Sequence, residues 1–310
     1  MLLLLFGLVP SLFWPGATGT APKLQQAGIT HIAVPASQAN LWKKVSGISV
    51  ETVDLNQTVK LPSPGVSFHM SEASASRVPW ISSNGARIMR QPDAHFSYDV
   101  KGNTAALAAA EAFAYGSAAV VETDTDGLQP LADMLKFLRS IERPVRPGIA
   151  DVGFIDDGSP TDLEVMNLLV RDNLLFKIVH SPSPNLKLNV RIGTKQYPAA
   201  EAKNPDLMEH KIRSNLTDAR RTIRIYGTSI VVARVTGTPG KLRLHLLNYG
   251  AGEGTRIGEF RVRVLGRYSK AELHSFERSG DHVIDYSPES DATEFTVPGL
   301  KVYAVVDLTK

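Results

Sequence analysis

Carboxylates recur in the first half of the chain at the points where short apolar runs stop. Asp54, Glu72, Asp99, Glu122, Asp124, Asp156 and Asp157 each close or follow such a run. Hydrolysis of a glycosidic bond needs two carboxyl groups facing across a sugar, one protonated as general acid and one ionised as nucleophile or base. In parallel β/α folds the carboxyl ends of strands present polar residues to a cleft, whereas a charge in mid-strand would be buried at a cost. Asp99, Glu122, Asp124, Asp156 and Asp157 are therefore the candidate catalytic residues. The first three lead, because each directly ends a hydrophobic run and the two runs are consecutive. Acids after strands also cap helices and solvate turns. Asp157 in Asp157-Gly158-Ser159-Pro160 and Asp126 in Asp126-Gly127 have the look of turn residues.

Glu72, Trp80, Arg90 and Tyr98 are the candidate substrate-binding residues beside those acids. An exposed Trp80 indole would stack on a sugar ring, although large aromatics more often pack inside. Tyr98 precedes Asp99, so in a regular strand the two point to opposite faces.

Other chemistries lack their parts. The chain has no cysteine, which excludes thiolate nucleophiles, disulfides and Cys-ligated metals. No Gly-x-Gly-x-x-Gly, phosphate-cradling Lys-Ser/Thr loop or Gly-x-Ser-x-Gly elbow is present, so no nucleotide cofactor is expected. His31, His69 and His95 fall on separate strands without metal-ligand spacing, so no metal is expected either. The 34 basic and 31 acidic residues leave a formal charge of +3, without the concentrated basic stripe that nucleic acid demands. Arg220, Arg221 and Arg224 are accounted for as a solvated segment before a strand.

The elements that must position these residues follow from periodicity. Strands are expected over residues 29–34, 50–55, 66–70, 86–89, 95–100, 118–121, 152–155 and 176–179. Helices are expected over residues 38–45, 105–115 and 128–138, and another is opened by Ser159 as N-cap with Pro160 behind it. Eight strands are the number that a (β/α)8 barrel requires, but the span is short beside the ~250 residues typical of that fold, so the barrel is expected in reduced form. An open doubly wound sheet is the competing architecture. This α/β domain is assigned to residues 22–200, and a connector with a short helix to 201–222. From residue 223 to 310 the period changes to two, as in Leu242, Leu244 and Leu246 alternating with Arg243 and His245. About seven short strands and no helix make that part an antiparallel β-sandwich.

Residues 1–21 combine the apolar run Leu2-Leu3-Leu4-Leu5-Phe6-Gly7-Leu8-Val9 with small residues at 15–21, the pattern of a signal peptide. Export to the periplasm or beyond is the corresponding expectation. No later segment is apolar enough for a stable membrane anchor.

The C-terminal segment, from Leu244-His245-Leu246-Leu247-Asn248-Tyr249 through Val262-Arg263-Val264 to Phe295-Thr296-Val297-Pro298-Gly299-Leu300 and Val302-Tyr303-Ala304-Val305-Val306, resembles the small β-sandwich that follows the catalytic barrel in many bacterial glycoside hydrolases. That resemblance implies a preceding barrel, two catalytic carboxylates and a carbohydrate ligand or substrate. The α/β part also resembles, more loosely, the glutamine-amidotransferase-like middle domain of some multidomain β-galactosidases. That domain is structural there, and this chain has no Cys to restore amidotransferase chemistry. A non-catalytic carbohydrate-binding or assembly protein with a degenerate barrel is the alternative on the same scaffold.

Overall fold

The computed structural model describes residues 9–70, 77–142, 146–277 and 280–310. The chain divides into two compact units, the first made of Met1–Gly65, Gln91–Val145 and Gly250–Thr255, the second of Val66–Arg90, Arg146–Tyr249 and Arg256–Lys310.

The first unit is built on β1 (Ser11–Phe13), β2 (His31–Val34), β3 (Ser49–Thr52) and β4 (Val59–Leu61), joined after an excursion by β7 (His95–Val100) and β8 (Ala118–Thr123). The excursion comprises the two-stranded sheet of β5 (Gly65–Met70) and β6 (Arg77–Ser82), then helix α3 (Gly85–Arg90). The six strands form one parallel sheet in the order β3-β2-β1-β8-β7-β4. Helices α1 (Ala21–Gln26), α2 (Ala36–Trp42), α4 (Thr104–Ala114) and α5 (Thr125–Ile141) connect and flank it.

Strand order bears on the two architectures. The steps β1 to β2 to β3, and β4 to β7 to β8, all move across the sheet in the same direction. A doubly wound sheet reverses direction at its first strand. With right-handed crossovers, an unreversed progression puts the connecting helices on one face, which is how a (β/α) barrel winds. The step from β3 to β4 runs between the two edges of the sheet.

The two faces differ in chemistry. Leu12, Ile32, Val34, Phe96, Tyr98 and Val121 share one face by register and are buried. Helix α4 packs on that side of β7 and β8 and is buried from Ala105 to Ala114, as a helix apolar all round must be. The other face carries a small cluster of Phe13, Ala33, Val53 and Val120 with Leu55 against it. Around that cluster it presents Ser11, His31, Glu51, Lys60, Ser97, Asp99 and Glu122.

Several sequence expectations change here. The leader assigned to residues 1–21 overlaps the fold: β1 pairs with β2 on one side and β8 on the other, and Leu12 is fully buried. A strand buried on both faces reads as a continuous apolar run, the same pattern as a leader's apolar core, so the pattern did not separate them. Residues 86–89 are helix α3, not a strand. Ser83 Oγ accepts the Gly85 N–H at 3.1 Å and Ile88 N–H reaches Asn84 O at 2.9 Å, and a short apolar run cannot announce its period. The eight expected strands therefore do not line one sheet. Nor does residue 200 mark a structural boundary, since Arg146–Tyr249 cluster with the sandwich strands.

In the second unit β9 (Val152–Phe154), β10 (Phe176–Ile178) and β11 (Leu188–Val190) make a parallel sheet in the order β10-β9-β11, with α6 (Pro160–Arg171), α7 (Ala199–Ala202) and α8 (Pro205–Leu216). The sandwich follows: β12 (Ile223–Tyr226), β13 (Val231–Thr238), β14 (Lys241–Asn248), β15 (Phe260–Leu265), β16 (Lys270–Ser275), β17 (Ile284–Pro288), β18 (Ala292–Val297) and β19 (Tyr303–Thr309). They form two antiparallel sheets, β12-β15-β18-β17 and β13-β14-β19-β16. Leu242, Leu244, Leu246, Val262, Val264, Phe295 and Val306 belong to the core between them. Alternation put these residues inside, as period two requires. Among the described residues no helix is long and apolar enough to cross a membrane.

Candidate functional site

The structure brings two of the leading acids together. Asp99 on β7 and Glu122 on β8 are register partners in the parallel ladder, each the second-last residue of its strand. Partners point to the same face, so the two carboxyl groups stand side by side at the carboxyl edge of the sheet. Lys60 on the neighbouring β4 reaches Asp99 Oδ2 at 3.0 Å. Burial of Glu122, and then the charge of Asp99, push the Glu122 carboxyl above its ordinary range, with Lys60 pulling it partly back. The pair is thus a raised acid beside an ion-paired carboxylate. Lys60 is one residue absent from the sequence expectations. Its strand is only three residues long, and one lysine between Val59 and Leu61 is a weak signal.

Asp124 is near in sequence but plays another part. It caps α5, its Oδ1 accepting the N–H groups of Gly127 and Gly102, each at 3.0 Å. The Gly102 N–H leads in holding its carboxyl below the usual range. Tyr98 faces away from Asp99, as strand alternation predicts, and its buried hydroxyl donates to Glu111 Oε2 at 3.0 Å. It is a core residue and not a ligand-binding one. Glu72 lies outside the described residues.

The remaining candidates lie in the second unit. Trp80 is 40% exposed, and the Arg171 guanidinium sits 3.9 Å from its ring centroid, so a cation already covers part of the surface a sugar would use. Arg90, at the end of α3, grips Asp156 through Nε and Nη2 at 2.7 and 2.6 Å and donates from Nη2 to Ser159 O at 3.0 Å. Asp157 Oδ1 accepts the Ser159 N–H at 2.8 Å. The Ser159 hydroxyl and then its N–H lower the Asp157 carboxyl. The fully buried Asp162 completes this group, with Oδ2 accepting the Asp157 N–H at 3.0 Å. Burial, and next the charges of Asp157 and Asp156, push its carboxyl up to about 6. Ser159-x-x-Asp162 is the capping-box spacing, the signal that could have found it. Asp156, Asp157 and Asp162 are also the group of side chains, among the described residues, whose oxygens approach closely enough to hold a metal ion.

A polar cavity of about 390 Å³ opens near the start of β1 and β2, lined among others by Ser11, His31, Glu51 and Arg139. His31 contacts Ser49 Oγ through Nδ1 at 2.8 Å and Glu51 Oε1 through Nε2 at 3.3 Å. Burial raises the Glu51 carboxyl, but His31 and Ser11 outweigh it and hold the group low. This cluster is at the amino edge of the strands, where barrel enzymes do not place their chemistry.

No family model and no curated protein matches the chain. Solved structures do. An α-L-fucosidase isoenzyme 2 from Paenibacillus thiaminolyticus aligns with 72% of this chain and 62% of its own, at 10% identity and a TM-score of 0.55. A GH42 β-galactosidase from G. stearothermophilus aligns with 81% of this chain and 53% of its own, at 8% identity and a TM-score of 0.38. A maltogenic α-amylase from Thermotoga neapolitana covers 96% and 99% at 10% identity and a TM-score of 0.26. The fucosidase likeness is the one that bears weight, and it is a likeness of fold. The chain spans 62% of that enzyme's length. The fold is thus glycoside-hydrolase-like: parallel strands with helices, then an antiparallel sandwich.

Proposed function

We propose that the chain cleaves glycosidic bonds with the pair Asp99 and Glu122. Glu122 protonates the leaving oxygen, and Asp99 serves as nucleophile or base. The observation that carries this reading is their direct pairing across adjacent strands at the carboxyl edge, with Glu122 raised by burial and by Asp99. An acid tuned upward beside a lysine-paired carboxylate suits the division of labour the reaction needs. Adjacent strands lie ~4.8 Å apart, nearer the ~5–5.5 Å carboxyl separation of retaining enzymes than the ~6.5–9.5 Å of inverting ones. Retention of anomeric configuration is the expected outcome.

A second reading, a carbohydrate-binding or assembly protein without turnover, draws on the openness of the site: the side chains of Lys60 and Asp99 are 70% and 56% exposed. A panel of aryl glycosides and oligosaccharides separates the two. Under the enzymatic reading Asp99→Ala and Glu122→Ala each lower turnover by ~10²–10⁴. Saccharide binding with no turnover, unchanged in both variants, would leave the binding reading. Action outside the cell belongs to the same proposal with one amendment, that the exported product retains Ser11–Phe13 because β1 is part of the sheet. Amino-terminal sequencing of recovered protein checks it.

A further inference from the structure

We propose that the turn after β9 binds a hard divalent cation of the Ca²⁺ or Mg²⁺ class through Asp156, Asp157 and Asp162. One oxygen from each of the three carboxylates lies within 4.8 Å of the other two. Three acids and one guanidinium meet here, and Arg90 is committed to Asp156. That leaves two carboxylates, Asp157 and Asp162, without a cationic partner of their own.

A second observation points to a ligand. Asp162 is 1% exposed, and its Oδ1 is buried with no hydrogen-bond donor. Oδ2 is taken by the Asp157 N–H, so Oδ1 is the oxygen left over. An orphan carboxylate oxygen in the interior is costly, and the Asp157 carboxyl beside it satisfies it only by sharing a proton. A hard cation satisfies both at once, since Ca²⁺ and Mg²⁺ take carboxylate and backbone oxygens and fill their remaining positions with water. The exposed side of Asp157 leaves room for that water. The site is separate from the Asp99–Glu122 pair and does not depend on the function assigned to it.

The test is calorimetric titration of the full chain with CaCl2, and separately MgCl2, beside thermal melts in each salt and in NaCl of equal ionic strength. Binding with Kd on the order of 0.1–1 mM is expected, the range of modest oxygen-ligand sites. A melting point about 3 °C higher at ~10 mM cation is expected with it. Asp162→Asn and the exposed Asp157→Asn each weaken binding at least ~10-fold, and the second guards against a folding defect in the first. No heat up to ~10 mM of either ion overturns the proposal, as does stabilisation matched by NaCl. Undiminished binding in both variants overturns it too. So does a melting point that rises on acidification and ignores both cations, which would put a shared proton between the carboxylates.

Discussion

Two groups of acids lie at or just beyond the carboxyl ends of parallel strands in this molecule, Asp162 in the helix that follows its strand, and they have different surroundings. Asp99 and Glu122 are partly open to water and meet each other and one exposed lysine. In the second group Arg90 grips Asp156, while Asp157 and Asp162 each accept a backbone N–H from the turn ahead of α6. For Asp99, Glu122, Asp156 and Asp157 the residue type and strand-end position are alike. What differs is the fixed donor each strand-end acid meets: Asp156 is held by a largely buried guanidinium, Asp99 by one exposed lysine. The fewer the fixed donors, the freer a carboxylate is to exchange protons with a ligand. Position at a strand end therefore nominates an acid, and its donors decide its role.

Substitutions should separate the two groups by stability. Arg90→Ala removes the partner of a nearly buried carboxylate, with side chains only 18% and 6% exposed. It should cost about 3 kcal/mol in urea or thermal unfolding. Asp124→Ala removes the cap of α5 and should cost ~1 kcal/mol. Lys60→Ala should cost less than ~1 kcal/mol, since exposed ion pairs contribute little. Under the proposed function its effect should appear in activity instead. Lys60 lowers the Glu122 carboxyl, so its loss raises that group further, and the alkaline limb of the pH–rate profile should move to higher pH. An Arg90 variant as stable as wild type would erase the distinction between the groups.

The sequence carried much of this fold where an element was long or strongly periodic. Helix α4 between Asn103 and Gly116, helix α6 behind Ser159-Pro160, and the alternating strands β14 and β15 were all legible. Short elements were not. Strand β1 is three residues inside an apolar run, and α3 is six residues, too few for a period to declare itself. Of the candidate site, Asp99 and Glu122 could be nominated from strand ends, but their pairing depends on β7 lying beside β8, a tertiary fact. Asp124, Asp156 and Asp157 satisfied the same rule and turned out to be held by backbone or arginine donors. Alternation set Tyr98 on the face opposite Asp99, and the structure buries it there against Glu111. Lys60 needed the structure, because a lysine in a three-residue strand looks like an ordinary surface residue, whereas Asp162 was announced only by its spacing from Ser159.

The central claim is that Glu122 donates a proton to the leaving oxygen, and leaving-group dependence in Glu122→Gln tests it most directly. A proton donor matters for a poor leaving group and hardly at all for an activated aryl one. The account predicts that kcat/KM of Glu122→Gln falls ~100-fold or more on an unactivated glycoside. On a dinitrophenyl glycoside it should stay within about tenfold of wild type. An equal loss on both substrates, or none on either, would contradict it.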